Sequence, residues 1–363
     1  MLRGEILKEI DINLKNDSYK VYIESDLKEL YNLLKKYKEN HNMFLITDDI
    51  VGSIYSDIID NLENNLECKV FKFNHGEENK SIDTVKNIYD FLLKNGANRN
   101  SILIGLGGGL VGDIVGFAAS TYMRGIKFIN IPTTMLSQID SCIGGKVGYN
   151  YDDIKNLIGS FFNPEFVYVC PSFLKSLNDM LFRDGLGELV KYCLIDSKEF
   201  LNYVNDNFED ILKRDEGVLI YIIERCLNIK KDVVTKDFKD TGLRNILNFG
   251  HTIGHGIEIC SNFNISHGEA VGLGSLAALK LSEYKFNMRK DIYPFVKELI
   301  KKLGLPISYK IEDYEAFLYA VSHDKKNDSS IRFVLLQDIG NYKIKVDTKK
   351  DEIVKAIRES IDL

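Results

Sequence analysis

Short apolar runs and longer helical patterns alternate through the first half of the chain. Residues 43–47 (MFLIT) read as a buried strand closed by Asp48 and Asp49. Residues 69–73 (KVFKF) read as a second strand, 101–105 (SILIG) as a third and 128–132 (FINIP) as a fourth. Between them, residues 27–38 and 81–94 repeat apolar positions every three to four residues, the spacing of an amphipathic helix. Strands that alternate with helices need crossover connections, which predicts a largely parallel sheet. The residues up to Ser25 read as an additional hairpin. After about Pro171 the texture changes. Helical patterns run through 186–196, 200–212, 218–231 and 269–285, Pro294 and Pro306 punctuate later ones, and one weak strand candidate (331–336) remains. The expected fold class is α/β: an N-terminal Rossmann-like domain with a mainly parallel sheet (1–175), followed by a mainly α-helical domain (176–363). A cleft between two domains is a usual place for a ligand.

Composition narrows the function classes. The chain has 363 residues, 45% hydrophobic and 28% charged, enough for roughly two domains of 100–200 residues each. A net charge of -6 argues against a general nucleic-acid binder, although a local cationic pocket can hide among 47 basic residues. Six scattered cysteines with no C-x-x-C pair read as reduced, mostly buried apolar groups. Glu5 stands where a signal peptide would have its apolar run, and no apolar stretch approaches the roughly 18–20 residues that cross a bilayer. The expectation is a soluble cytoplasmic protein without a membrane or nucleic-acid partner.

The glycine turn is the first chemical signal. Gly107, Gly108, Gly109 and Gly112 follow the third strand and open an apolar helical stretch, with Asp113 just behind them. Glycines let backbone N–H groups approach a phosphate, and the helix N-terminus adds partial positive charge. Read from Gly107, the spacing satisfies G-x-G-x-x-G in strand–turn–helix context. The motif sits at the third strand and not at the first. No obvious acidic residue follows about 20 positions later to hold a ribose, and Asp48 is the substitute candidate. The plainer alternative is a turn needed only for close packing.

Three of the six histidines, His251, His255 and His267, fall within 17 residues. His251 and His255 are four apart, so on a helix both imidazoles share a face, and imidazole suits zinc or a similar divalent metal. On spacing alone, the expected ligands are those two plus one more group. Cations also sit in apolar or glycine-containing contexts: Arg124, Lys146, Lys155, Lys191, Lys230 and Arg244, with Asp140 nearby in QIDS. Such a set suits a doubly anionic substrate held by charge-assisted hydrogen bonds. Singly, each is more often an ordinary surface or paired cation.

Together these motifs resemble the 3-dehydroquinate synthases over nearly the whole chain. The resemblance runs from HGEENK at His75 through GGGLVGD, IPTT, DSCIGGKVG, KNLIG, GELVK, GLRNILNFGHTIGH and His267-Gly268-Glu269 to Asp324-Lys325-Lys326. It implies an NAD-binding α/β domain followed by a helical metal-binding domain, usually as a homodimer. It also implies one divalent metal (zinc or cobalt) and a sugar acid phosphate substrate. Glu188, His251 and His267 would be the metal ligands, which turns His255 into a nearby polar group. Glu77 and Lys80 would meet the adenosine end of NAD. Gly108, Gly109, Gly112 and Asp113 would cradle its pyrophosphate, and Thr133, Thr134, Lys146, Lys155, Phe173 and Ser176 would complete the cofactor site. Lys230 and Arg244 would take the substrate carboxylate. Asn156, Asn248 and Lys326 would take its phosphate, with Arg124 reaching across from a second subunit. Asp140 and Lys191 would bind the reacting hydroxyls. Ser176 and Asn178 depart from the family's usual threonine and proline, and a one-residue gap would exchange Lys325 for Lys326.

Overall fold

The structure, a computed structural model, describes residues 7–14, 17–152, 154–322 and 330–362. Two compact units make up the chain: 1–177 together with 219–231, and 178–218 together with 232–363.

The first unit runs β1 (Lys8–Ile12), β2 (Tyr19–Ile23), α1 (Lys28–Lys38), β3 (Met43–Asp48), α2 (Asp49–Ile54), α3 (Ser56–Leu66), β4 (Lys69–Phe73), α4 (Ile82–Lys94), β5 (Ile102–Gly107) and α5 (Gly109–Thr121). It continues with β6 (Lys127–Pro132), the hairpin β7 (Lys146–Tyr151) and β8 (Ile154–Phe161), and β9 (Phe166–Val169). Seven strands form one sheet in the order β1-β2-β9-β6-β5-β3-β4. Only β1 and β2 pair antiparallel; every other pairing in this sheet is parallel.

Alternation of side chains across the pleat explains why both faces are covered. Leu45, Ile102, Ile104 and Ile129 face α1 and α3, packing with Leu30, Leu34, Ile59 and Leu62. Phe44, Ile46, Leu103 and Phe128 face the other way, onto Val85 and Ile88 of α4 and Val115 and Ala118 of α5. A strand buried on both faces must be apolar throughout. The β5 run and residues 43–46 of β3 are therefore apolar, and the buried Thr47 that follows donates its hydroxyl to Leu106 O at 2.7 Å.

The second unit is built on helices: α6 (Asp179–Asp196), α7 (Lys198–Asp206), α8 (Phe208–Leu212), α9 (Glu216–Lys236, of which 219–231 group with the first unit), α10 (His251–Cys260), α11 (His267–Phe286), α12 (Ile292–Lys302) and α13 (Tyr314–Ser322). A separate antiparallel pair, β10 (Ser330–Asp338) and β11 (Asn341–Lys349), precedes α14 (Lys350–Ser360). The late apolar run at 331–336 thus pairs only with β11 and stays outside the main sheet. The single helical pattern at 200–212 is two helices, broken at Asn207, whose side-chain amide caps back onto Tyr203 O at 2.8 Å. Among the described residues no helix is long and apolar enough to cross a membrane.

Candidate active site

In the first unit, β3 hands the chain to β4 on one side, and β4 returns it to β5 on the other side of β3. The C-terminal ends of β3 and β5 therefore flank a crossover point, where doubly wound sheets bind nucleotides. From Gly107 at the end of β5 the chain passes through Gly108 directly into α5. A Cβ on Gly107 would come 2.4 Å from Val111, and one on Gly108 3.0 Å from Thr134 Cγ2. The buried Thr133 donates its N–H to Gly107 O at 2.9 Å, and Ser137 Oγ accepts from Thr134 N at 3.1 Å. A Cβ on Gly112 would stand 3.3 Å from the Asn130 amide. This is a bare helix N-terminus at a strand end, which fits a pyrophosphate.

Asp48 ends β3, but its Oδ1 accepts the Val51 N–H at 2.8 Å as the cap of α2, and burial raises its carboxyl above the usual range. Around α5 the structure gathers a connected polar group. Buried Lys80 stands 2.6 Å from Asp113 Oδ2 and also donates to Asn156 Oδ1. Burial pushes the Asp113 carboxyl up, and Lys80 pulls against it. Asn156, at φ 56, donates its N–H to Asn150 Oδ1 at 2.8 Å, and Asn150 Nδ2 donates to Glu77 Oε1 at 2.8 Å. Asn156, assigned by resemblance to the substrate phosphate, thus stands with Glu77, Lys80 and Asp113, which the resemblance assigns to the cofactor.

Lys146 and Lys155 are exposed on β7 and β8. Phe173 is buried, and the Ser176 hydroxyl donates to Phe173 O at 2.9 Å while bonding Tyr55 Oη. Asp140 lies on a π-helical turn, Ser137–Ser141, and the buried Lys230 holds it twice, at 2.9 Å from Oδ1 and 2.6 Å from the main-chain oxygen. Arg124 is exposed and at φ 71, directly after Met123 at φ 50, two successive non-glycine residues in the left-handed region.

In the second unit three donors converge. Glu188 on α6 is fully buried, and its Oε1 lies 3.0 Å from His251 Nε2 and 3.1 Å from His267 Nε2. Lys191, one turn on and equally buried, pairs with Glu188 Oε2. Close helix contact makes this possible. A Cβ on Gly187 would fall 1.9 Å from Gly268 O, and one on Gly268 1.6 Å from Asp184 O. Gly250, at φ 80, starts α10 at His251 against α11: a Cβ on Gly274 would fall 2.1 Å from Gly250 O. Burial by itself would raise the Glu188 carboxyl, but Lys191 and His251 outweigh it and hold it well below the usual range. Burial disfavours a charged His267 ring, yet hydrogen bonds to Glu188 and Glu258 raise it to about 10. One carboxylate and two imidazoles with their donor atoms within 4.8 Å fit a divalent ion with an open position.

His255, the spacing partner of His251, has a half-exposed side chain, and its Nε2 is 3.9 Å from Glu258 Oε2. The two imidazoles do share a helix face. Glu188, however, meets α10 at its first turn, which His251 occupies and His255 does not. His255 joins a second group of possible donors with Glu258 and His267. Glu269 of the His-Gly-Glu run is a helix cap, accepting the Ser266 N–H at 2.9 Å. Buried Arg244 donates to Phe238 O at 2.9 Å, Asn248 is exposed, and Lys326 lies outside the described residues. Sequence reasoning missed Asp237 and Glu258. Asp237 accepts from the N–H groups of Thr241, Gly242 and Arg244 at 3.0, 2.7 and 3.0 Å. Glu258 lies seven residues after His251 and three after His255, so helical periodicity alone could have found it.

A glycine turn at a crossover point and a carboxylate–imidazole cluster in one chain define a nucleotide- and metal-dependent enzyme of two-unit plan. Residues 70–184 match the family model described as 3-dehydroquinate synthase N-terminal, and 185–327 the one described as 3-dehydroquinate synthase C-terminal. A 3-dehydroquinate synthase of Clostridium tetani is 54% identical across 99% of this chain and 97% of that protein. One of Ruminiclostridium cellulolyticum is 39% identical across 95% and 97%. The chain belongs to the 3-dehydroquinate synthase family. Among solved structures, a 2-deoxy-scyllo-inosose synthase complexed with carbaglucose-6-phosphate, NAD+ and Co2+ superposes with a TM-score of 0.86 at 25% identity, covering 98% of this chain and all of that one. A protein described as a probable glycerol dehydrogenase from Sinorhizobium meliloti, at 15% identity and a TM-score of 0.63 over 92% and 94% of the two chains, shares the fold alone.

Proposed function

We propose that the chain converts 3-deoxy-arabino-heptulosonate 7-phosphate into 3-dehydroquinate and phosphate, in the cytoplasm and as a homodimer. In this reading residues 1–175 bind NAD, and 176–363 bind the metal and much of the substrate. The observation that carries it is the convergence of Glu188, His251 and His267 beside buried Lys191 in a chain of this family. NAD bound to the first unit would supply reversible hydride chemistry, and a zinc or cobalt ion would supply Lewis-acid polarisation of a substrate oxygen. Glu188, His251 and His267 hold the ion, and Lys191 and Asp140 orient the reacting hydroxyls.

Lys230 and Arg244 bind the carboxylate, and Asn156, Asn248 and Lys326 the phosphate, by charge-assisted hydrogen bonds that fix one substrate through successive steps. Elimination of phosphate from an acidified C–H needs a nearby proton acceptor, and the substrate's own phosphate supplies it. Arg124 serves the neighbouring subunit. Its exposure and its left-handed backbone, sparsely populated for an arginine, favour a role in a contact. Two cationic carboxylate partners separate this activity from cyclases of neutral sugars. Offered the heptulosonate phosphate and, separately, a sugar phosphate lacking the carboxylate, the enzyme should release phosphate from the acid alone. Release from the neutral sugar only would overturn the assignment.

A further inference from the structure

The His267 ring is engaged at both nitrogens. Nε2 stands 3.1 Å from Glu188 Oε1, and Nδ1 stands 3.3 Å from Glu258 Oε2. A neutral imidazole has one N–H and one lone pair, and an ionised carboxylate only accepts. Facing two carboxylates, the ring therefore donates from both nitrogens; a divalent ion beside Glu188 and His251 would take the place of the proton on Nε2 and leave the Nδ1 proton on Glu258. The His251 ring is oriented the same way by a weaker partner, its Nδ1 facing Phe249 O at 3.2 Å.

Glu258 is itself held in place. It is 5% exposed. Its main-chain oxygen accepts from Phe263 N at 2.8 Å and from Ser261 Oγ at 3.0 Å, and Ser261 Oγ in turn accepts from Ile265 N at 3.2 Å. The loop that leads to His267 is thus tied to the turn that carries Glu258.

We propose that Glu258 is a positioning residue: it fixes the tautomer and rotation of His267, so that Nε2 is presented to the divalent ion and made more basic by the carboxylate behind it. The proposal rests on the ligand set put forward above. Carboxylate partners of metal-binding imidazoles set ring orientation and donor strength, and their loss commonly weakens metal binding by about 10- to 100-fold.

The test is a Co2+ titration of the full-length enzyme after chelator stripping, with a competing chelator to read affinity and the visible Co2+ spectrum to read ligand geometry. Glu258→Gln keeps shape and hydrogen-bonding capacity but removes the charge. It should bind Co2+ about tenfold more weakly with a shifted spectrum, while circular dichroism and NAD affinity stay unchanged. Glu258→Ala should lose more, and Glu258→Asp should recover part. Wild-type affinity and spectrum in Glu258→Gln would overturn the proposal, and that variant decides the matter if Glu258→Ala fails to fold. His267→Ala is the control. If it also kept full Co2+ affinity, the ligand set would be wrong. If it lost Co2+ while Glu258→Gln did not, only the role of Glu258 would fall.

Discussion

His267 Nε2 stands 3.1 Å from Glu188 Oε1 because their neighbours Gly268 and Gly187 let two helices touch backbone to backbone. Gly268 donates its N–H to Asp184 Oδ1 at 2.6 Å, which locks the start of α11 onto α6. A side chain at either glycine must part the helices. Gly187→Ala and Gly268→Ala should therefore lower stability by about 1–3 kcal/mol or more and weaken metal binding as well, read by thermal melts and chelator competition. A variant that folds normally and binds metal fully would show that the contact does not set the cluster.

Glu188→Ala and His267→Ala should each lose bound metal. Turnover should fall on the order of a thousandfold or more, because the Lewis acid disappears with its ligands. Elemental analysis and phosphate release measure the two effects separately. NAD affinity should survive, since the glycine turn of α5 lies in the other unit. Full metal content in either variant contradicts the ligand assignment.

Lys80→Met should act on the cofactor side. It leaves Asp113 without its ammonium partner in a setting that already pushes the carboxyl up. Removing one member of such a pair should destabilise the protein by about 1–3 kcal/mol and raise the KM for NAD while leaving metal content alone. Calorimetry and cofactor titration check this.

Asp237 makes a pH prediction. Backbone N–H groups of Thr241 and Arg244, against slight desolvation, hold its carboxyl below the ordinary 3.8. A depressed carboxylate contributes stability that is complete above the unfolded value and is lost as pH falls through the folded one. The 237–244 loop should thus be unchanged from neutral pH down to about 4 and should loosen only below it, seen as falling amide protection at Gly242 and Arg244. Asp237→Ala should loosen it at neutral pH, where the carboxylate is ionised, and raise the KM for the heptulosonate phosphate by on the order of tenfold, through Arg244.

The parallel sheet was legible because β3 and β5 are buried on both faces and so carry unbroken apolar runs. The hairpin of β7 and β8 was not, since β8 is largely exposed and mixes Lys155 and Asn156 with Leu157 and Ile158. The glycine turn announced itself through local spacing. The carboxylate–imidazole cluster did not: spacing paired His251 with His255, and only the family resemblance supplied Glu188, which comes from a different helix. Which residues a fold draws together from distant helices depends on close approaches such as Gly187 to Gly268. Nothing in local periodicity encodes these. Asp237 escaped for a related reason, because it acts through the backbone of its loop and stands in no recognisable motif, whereas Glu258 was within reach of the helical spacing that relates it to His251 and His255.

The central claim is that the chain eliminates phosphate and closes a ring while its nicotinamide ends in the state in which it began. The most direct measurement follows phosphate release, 3-dehydroquinate and NADH together, with purified protein, NAD, a divalent metal and 3-deoxy-arabino-heptulosonate 7-phosphate. The account predicts phosphate and 3-dehydroquinate in equal amounts with no net NADH. NADH accumulating in step with substrate loss, without phosphate release, would make the protein a simple dehydrogenase and contradict it.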